Sequence, residues 1–243
     1  MLLSAAVAEP SFEFQAPTFT RAMKTLAAVF VGLWLVTVLL QGAGLAGFTG
    51  PLGLLEPLAL VPAAVLQRGF VWQLVTHALL HDPGGVASLV LTVVGLWFLG
   101  SPLEQQWGLR RVLALLGVAT LFGSLCVVAV GVLSPRIFGG VTVSPAAALA
   151  ALLGAWATLH ARQRVSLMGL ATLTGGQLLG LVVVAAALQL AWHRDGAGVA
   201  GLAGFPVGYL FGAKGTPRGG TRTRRPSGPH LRVIRGGGSD LPN

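Results

Sequence analysis

Long apolar stretches separated by short polar breaks run through most of the chain. A bilayer span takes roughly 20 mostly apolar residues. Six stretches have that character: residues 22–46, 86–107, 112–133, 145–161, 167–192 and 197–213. One connection breaks the pattern. Residues 47–85 are apolar yet carry Pro51, Pro57 and Pro62 among several glycines. Proline removes a backbone donor and breaks a helix, so this segment does not span. It is also too apolar for a free aqueous loop. An element lying in the membrane interface beside the bundle satisfies both facts, and Trp72 suits that depth. The fold class predicted is an all-α membrane protein, a six-transmembrane-helix bundle with an interfacial first loop. Its expected organisation is an N-terminal tail (1–20), one membrane domain (21–213) and a C-terminal tail (214–243), without internal repeats.

Composition narrows the picture. Charged residues make up 9% of the chain and hydrophobic ones 54%, whereas soluble domains carry about 25% charged residues. So few charges cannot cover a water-facing surface, so the expected solvent is lipid. The one cysteine, Cys126, excludes a disulfide framework. Residues 1–10 lack a basic region, so they read as a short tail and not a signal peptide, with the first span as a retained anchor.

The net charge of +9 has a location. Lys214, Arg218, Arg222, Arg224, Arg225, Arg232 and Arg235 follow the last span, in a stretch rich in Gly, Pro and Ser. Such a stretch is expected to be disordered. With both termini in the cytoplasm, that side receives these seven plus Arg21, Lys24, Arg110, Arg111, Arg162 and Arg164; the other side receives Arg68, Arg136 and Arg194. The asymmetry fits the positive-inside rule and an even number of spans. The tail has no aromatic residue on which a base could stack. Anionic lipid is therefore its expected partner, and nucleic acid is not.

Small residues are dense in two spans. The fourth contains Ala146, Ala147, Ala150, Ala151 and Gly154, and the sixth contains Gly201, Gly204, Gly208 and Gly212. Small residues three and four apart let helices pack backbone to backbone in lipid, so these two helices are expected to touch.

Residues 58–108 carry further fixed spacings: Trp72, then Thr76, His77 and His81, then Gly100, Glu104 and Gly108 in a G-x-x-x-E-x-x-x-G array. With Gly204 and Gly208 in the last span, this pattern resembles the rhomboid intramembrane serine protease family. Gln73 stands where that family has arginine. The resemblance implies a serine at the start of the fourth helix that attacks a peptide carbonyl. A histidine on the sixth takes its proton, and donors on the second hold the oxyanion.

Matched residue by residue, this chain departs from that chemistry. The histidine position falls on Gly201, three residues before Gly204. The serine position falls on Ala146, eight residues before Gly154. The oxyanion positions fall on Ser88 and Thr92, whose hydroxyls can donate to a ligand or back-bond to their own helix. His193 lies eight residues before Gly201, about 12 Å along a helix, beyond hydrogen-bond reach. A two-residue shift offers Ser144 as nucleophile, but Ser before Pro also reads as a helix cap.

The expectation is a catalytically degenerate, rhomboid-like protein. Its cleft, around Ser88, Thr92, Ser144, Ala146 and Gly201, would bind transmembrane segments of other proteins. The alternative is a divergent protease using Ser144. His77, His81 and Asp82 could suggest a metal, but the histidines read as structural and no metal or cofactor is expected. Glu104 is expected to anchor loop amides or an arginine near Arg110 and Arg111. The spans carry no Asp, Glu or Lys at mid-membrane, which argues against an ion-coupled transporter. A bacterial inner membrane is the expected location.

Overall fold

The computed structural model describes residues 17–44, 55–161, 164–167 and 171–215. Of the tail expected to be disordered (214–243), Lys214 and Gly215 instead end a helix, because the last apolar run carries its helical hydrogen bonds on through them, and residues 216–243 and 1–16 lie outside this range.

Helix α1 (Arg21–Gly42) is followed, after the loop's first turn (Glu56–Leu58), by the short helices α2 (Pro62–Arg68) and α3 (Gln73–Thr76). Pro62 opens α2 at a position where its missing N–H costs nothing, and Gly69 closes it with φ of 73°. The next rod runs over Val86–Trp107. Its halves α4 (Val86–Gly95) and α5 (Ser101–Trp107) are joined by a π-helical segment at Leu96–Gly100. Helix α6 (Leu109–Leu133) leads into α7 (Pro135–Phe138) and then α8 (Ala146–Leu159).

Strands β1 (Arg164–Leu167) and β2 (Ala171–Thr174) pair antiparallel, Arg164 opposite Thr174. Helices α9 (Gly175–His193) and α10 (Gly196–Gly215) complete the described residues.

Four of these, Arg21–Gly42, Val86–Trp107, Leu109–Leu133 and Gly196–Lys214, are long and apolar enough to cross a membrane. Large apolar side chains on the outside, among them Leu39, Leu125, Leu133 and Leu188, are exposed. A patch of that extent would drive association in water and suits lipid. The interior is sealed by Met23, Leu96, Leu103, Leu115 and Leu152, each almost fully buried.

The fifth apolar stretch departs from expectation. Leu167 and Ala171–Thr174 belong to the paired strands, and the helix begins at Gly175. Thr174 and Gln177 explain the start. The Thr174 hydroxyl accepts from the Gln177 N–H, and the Gln177 side chain accepts from the Thr174 N–H at 2.9 Å, a capping box. The fourth stretch also yields a helix of only 14 residues. At 1.5 Å per residue it rises about 21 Å, against about 30 Å of hydrocarbon. One end of α8 must therefore lie inside the bundle. The N-terminal end is the covered one, since Pro145 and Thr142 are buried and Thr142 pairs with Leu60 of the first loop. Irregular backbone at membrane depth is tolerated only where protein or a cavity surrounds it.

Candidate functional site

Helix α10 lies against α8 along most of its length. The glycines set the distance. A Cβ on Gly204 would overlap the Ala147 carbonyl oxygen, and one on Gly208 would overlap that of Ala151. Gly154 answers from α8, where a Cβ would stand 2.8 Å from the Phe205 carbonyl oxygen. The two backbones are therefore in direct contact, as small residues allow in lipid.

Gly201 is different. A Cβ there would meet Ala146 Cβ at 3.8 Å, ordinary van der Waals contact. Gly201 and Ala146 are thus opposite one another, both half-buried, at the covered end of α8. The Ser144 hydroxyl accepts a hydrogen bond from the Ala146 N–H at 3.1 Å. That bond occupies a backbone donor at the helix start, which is what a cap does. The helix begins one residue later than the sequence suggests, with Pro145 as the flanking residue and Ala146 first.

The hydroxyl of Thr92 donates to the Ser88 carbonyl one turn earlier, at 2.9 Å. Its single hydrogen is spent there, so its oxygen accepts from His81 Nε2–H, also at 2.9 Å. Thr92 lines an apolar cavity of about 190 Å³ together with Phe30, Leu96, Pro145 and Ala148. Ser88 is exposed on α4 and is not part of that lining. The structure thus joins Ser144, Ala146 and Gly201 closely, places Thr92 across the cavity from Pro145, and leaves Ser88 apart.

His77 and His81 do not share a helical face. His77 opens a tight turn (His77–Leu79), and Leu80 is extended, which turns the chain away before His81. Each ring has its own bond: His77 Nδ1–H donates to the Gln73 carbonyl at 2.9 Å. Burial pulls the His77 imidazole down to about 4, against that bond, which raises it. Burial lowers His81 as well. Both rings are therefore neutral hydrogen-bonding groups at pH 7. Among the described residues no group of three His, Cys, Asp or Glu could hold a metal.

The first loop is pinned over the site by polar side chains. Gln73 is fully buried, and its Oε1 accepts from the Val61 N–H at 3.1 Å. Trp72 Nε1–H donates to the Pro57 carbonyl at 2.8 Å, and Thr76 donates to Leu58 at 2.7 Å. Gln73→Leu keeps the volume and removes the acceptor, leaving a buried N–H unpaired. A loss of about 1–3 kcal/mol is expected, read from denaturant unfolding in micelles.

At the opposite end Glu104 accepts from the Thr20 hydroxyl, ahead of α1. The expected arginine partner is not the one found. Arg111 instead sits over the Trp107 ring at 4.4 Å and donates to the Phe211 carbonyl at 2.9 Å. That carbonyl lies in the last turns of α10, where acceptors outnumber donors and a cation is favoured. Gly100 lets Met23 approach, and Gly108 turns the chain with φ of 81°. Residues 17–20, expected as tail, are held against this rod. Trp97 donates to the Pro17 carbonyl and Gln105 to Thr18. His193 ends α9, whereas Gly201 belongs to α10, so one continuous helix does not relate them. The His193 side chain lies outside the described residues.

A sequence model of the Rhomboid domain matches residues 68–218. The chain belongs to the rhomboid family. No curated protein matches it. The family match runs from the end of α2 past α10, so it takes in both facing helices and the rod bearing Thr92 and Glu104. This rhomboid protein is an integral membrane protein of the all-α class, mostly helical apart from the short β1–β2 hairpin. Sequence reasoning missed Thr142, which bridges the loop to the approach of α8 and packs against Gly196. It also missed Arg111 as the partner of α10. The T-x-x-Q spacing at Thr174 was a readable signal for the α9 start.

Proposed function

We propose that this rhomboid protein is non-catalytic and that its cleft binds transmembrane segments of other membrane proteins. One observation carries the reading. The two positions that correspond to nucleophile and base face each other closely enough that a Cβ added at Gly201 would stand 3.8 Å from the Ala146 Cβ, and they present a methyl group and a hydrogen. A covalent mechanism needs an activated oxygen and a group to take its proton. Neither Ala146 nor Gly201 supplies one. The serine of the competing protease reading, Ser144, has its hydroxyl engaged with the Ala146 N–H. Thr92 in turn is engaged with Ser88 and His81. Thr92, Ser144, Ala146 and Gly201 then border the recess without turning over substrate, and Ser88 stands outside it. The adjoining apolar cavity, lined by Thr92, Pro145 and Ala148, would receive apolar side chains of a client segment.

The proposal extends to placement. Both termini lie in the cytoplasm of a bacterial inner membrane, and the basic tail binds anionic lipid. The gathering of the α1 start, the α5–α6 turn and the α10 end at one face supports this orientation, since Arg21, Lys24, Arg110, Arg111 and Lys214 are all there.

The test is a photo-crosslinking amino acid placed at Ala146 or Gly201 in the full chain in native membranes. The expected product is a crosslink whose peptide maps to a transmembrane segment of another protein. A crosslinker at Leu133, 85% exposed on the outside, serves as the lipid-facing control. Capture of lipid alone at all three positions contradicts the proposal.

A further inference from the structure

A second recess lies at the end of the bundle away from Glu104. It is a groove of about 360 Å³ where α6 finishes, α7 follows, α9 ends and α10 begins. Val130, Ile137, Leu190 and Leu202 make its apolar walls, one from each element. Its polar members are Ser134 and Arg194. The volume is within the range of ligand pockets, about 300–1,000 Å³.

Arg194 has two unusual features. It is the one non-glycine residue with positive φ among the described residues, at 52°. It occupies the left-handed position that closes α9, with its N–H on the Leu190 carbonyl at 2.8 Å. Glycine is the ordinary occupant there, and another residue costs on the order of 1 kcal/mol. An arginine is nonetheless in place. Its side chain is exposed, and among the described residues no hydrogen bond or ion pair engages the guanidinium. The adjacent carboxylate, Asp195, is directed elsewhere: its Oδ1 accepts from the Gly198 N–H at 2.9 Å and caps α10.

We propose that this groove holds one anionic phospholipid. The acyl chain lies along the apolar walls, and the headgroup phosphate is held by Arg194 with the Ser134 hydroxyl beside it. The chemistry is complementary on both counts. A guanidinium matches phosphate oxygens, and an apolar trough opening into hydrocarbon matches an acyl chain. An arginine that merely snorkels to an interface needs no groove, so filling the groove separates the two.

The test titrates the purified full chain with phosphatidylglycerol or phosphatidylcholine of identical acyl chains, followed by native mass spectrometry. The wild type is expected to retain one phosphatidylglycerol with about tenfold preference over phosphatidylcholine, which equals about 1.4 kcal/mol. Arg194→Gly relieves the backbone and so folds at least as well, yet is expected to lose the preference. Arg194→Lys is expected to keep most of it. Leu202→Trp, which fills the trough and leaves the arginine, is expected to abolish retention. Inorganic phosphate is expected not to displace the lipid. Undiminished preference in Arg194→Gly overturns the proposal, as does wild-type retention in Leu202→Trp at an unchanged melting midpoint.

Discussion

Gly208→Val is expected to lower the stability of the bundle by about 3 kcal/mol, and Gly201→Ala to lower it not at all. A Cβ at Gly208 overlaps the Ala151 carbonyl oxygen, and its next neighbours are Ala151 backbone carbons. Backbone cannot swing aside as a long side chain can. The two helices must separate, and the close contacts along the seam go with them. Forcing extra carbon into packed space costs about 1–3 kcal/mol, and a rigid neighbour puts this site at the upper end. Gly201, about two turns earlier, has room: the nearest atom to a Cβ added there is 3.8 Å away. Alanine there removes glycine's penalty in a helix, a gain of up to about 1 kcal/mol. Unfolding of both variants in detergent, followed by tryptophan fluorescence, checks the contrast. Equal stability of Gly208→Val and wild type would contradict the seam.

The second large effect is on pH dependence. His77 is almost fully buried in the first loop, outside the spanning helices. Its imidazole is held down at about 4, while in the unfolded chain it titrates near 6.5. Between these values the unfolded state binds the proton and the folded state does not. Stability from this group is therefore complete above about pH 6.5. It is lost as pH falls through the window and levels off below about 4. At about 1.4 kcal/mol per pH unit the window is worth about 3 kcal/mol. His81, also lowered by burial, acts in the same direction. Unfolding of wild type and His77→Gln across pH 3.5–7.5 isolates the contribution. The difference between them should shrink as pH falls. A difference independent of pH would contradict a buried neutral ring.

Much of this architecture was legible in the chain because lipid imposes long apolar runs. Helices α1, α6 and α10 fall where those runs lie. The α8–α10 seam was legible too, because glycine spacing of four has few other uses in an apolar helix. Features set by single residues or by distant partners were harder to read. The fifth apolar stretch reads as a span from residue 167, yet Ala171–Thr174 form a strand and the capping box of Thr174 and Gln177 starts the helix at Gly175. The i, i+4 spacing of His77 and His81 suggested one helical face, and extended Leu80 removes it. Glu104 had two arginines nearby in sequence, but its partner Thr20 lies 84 residues away. Likewise Arg111 finds its acceptor 100 residues on, in α10. In the recess, the facing of Ala146 and Gly201 follows from the glycine seam that carries them. The roles of Thr92 and His81 depended on a single hydroxyl hydrogen, which pattern reading does not reveal.

What matters most is whether any bond is broken in the recess. Purified full-length protein in liposomes, given a fluorogenic transmembrane substrate, provides the direct reading. The rate should equal that of protein-free vesicles and should not change in Ser144→Ala. Cleavage above that background that disappears in Ser144→Ala would contradict the account and make the protein a working protease.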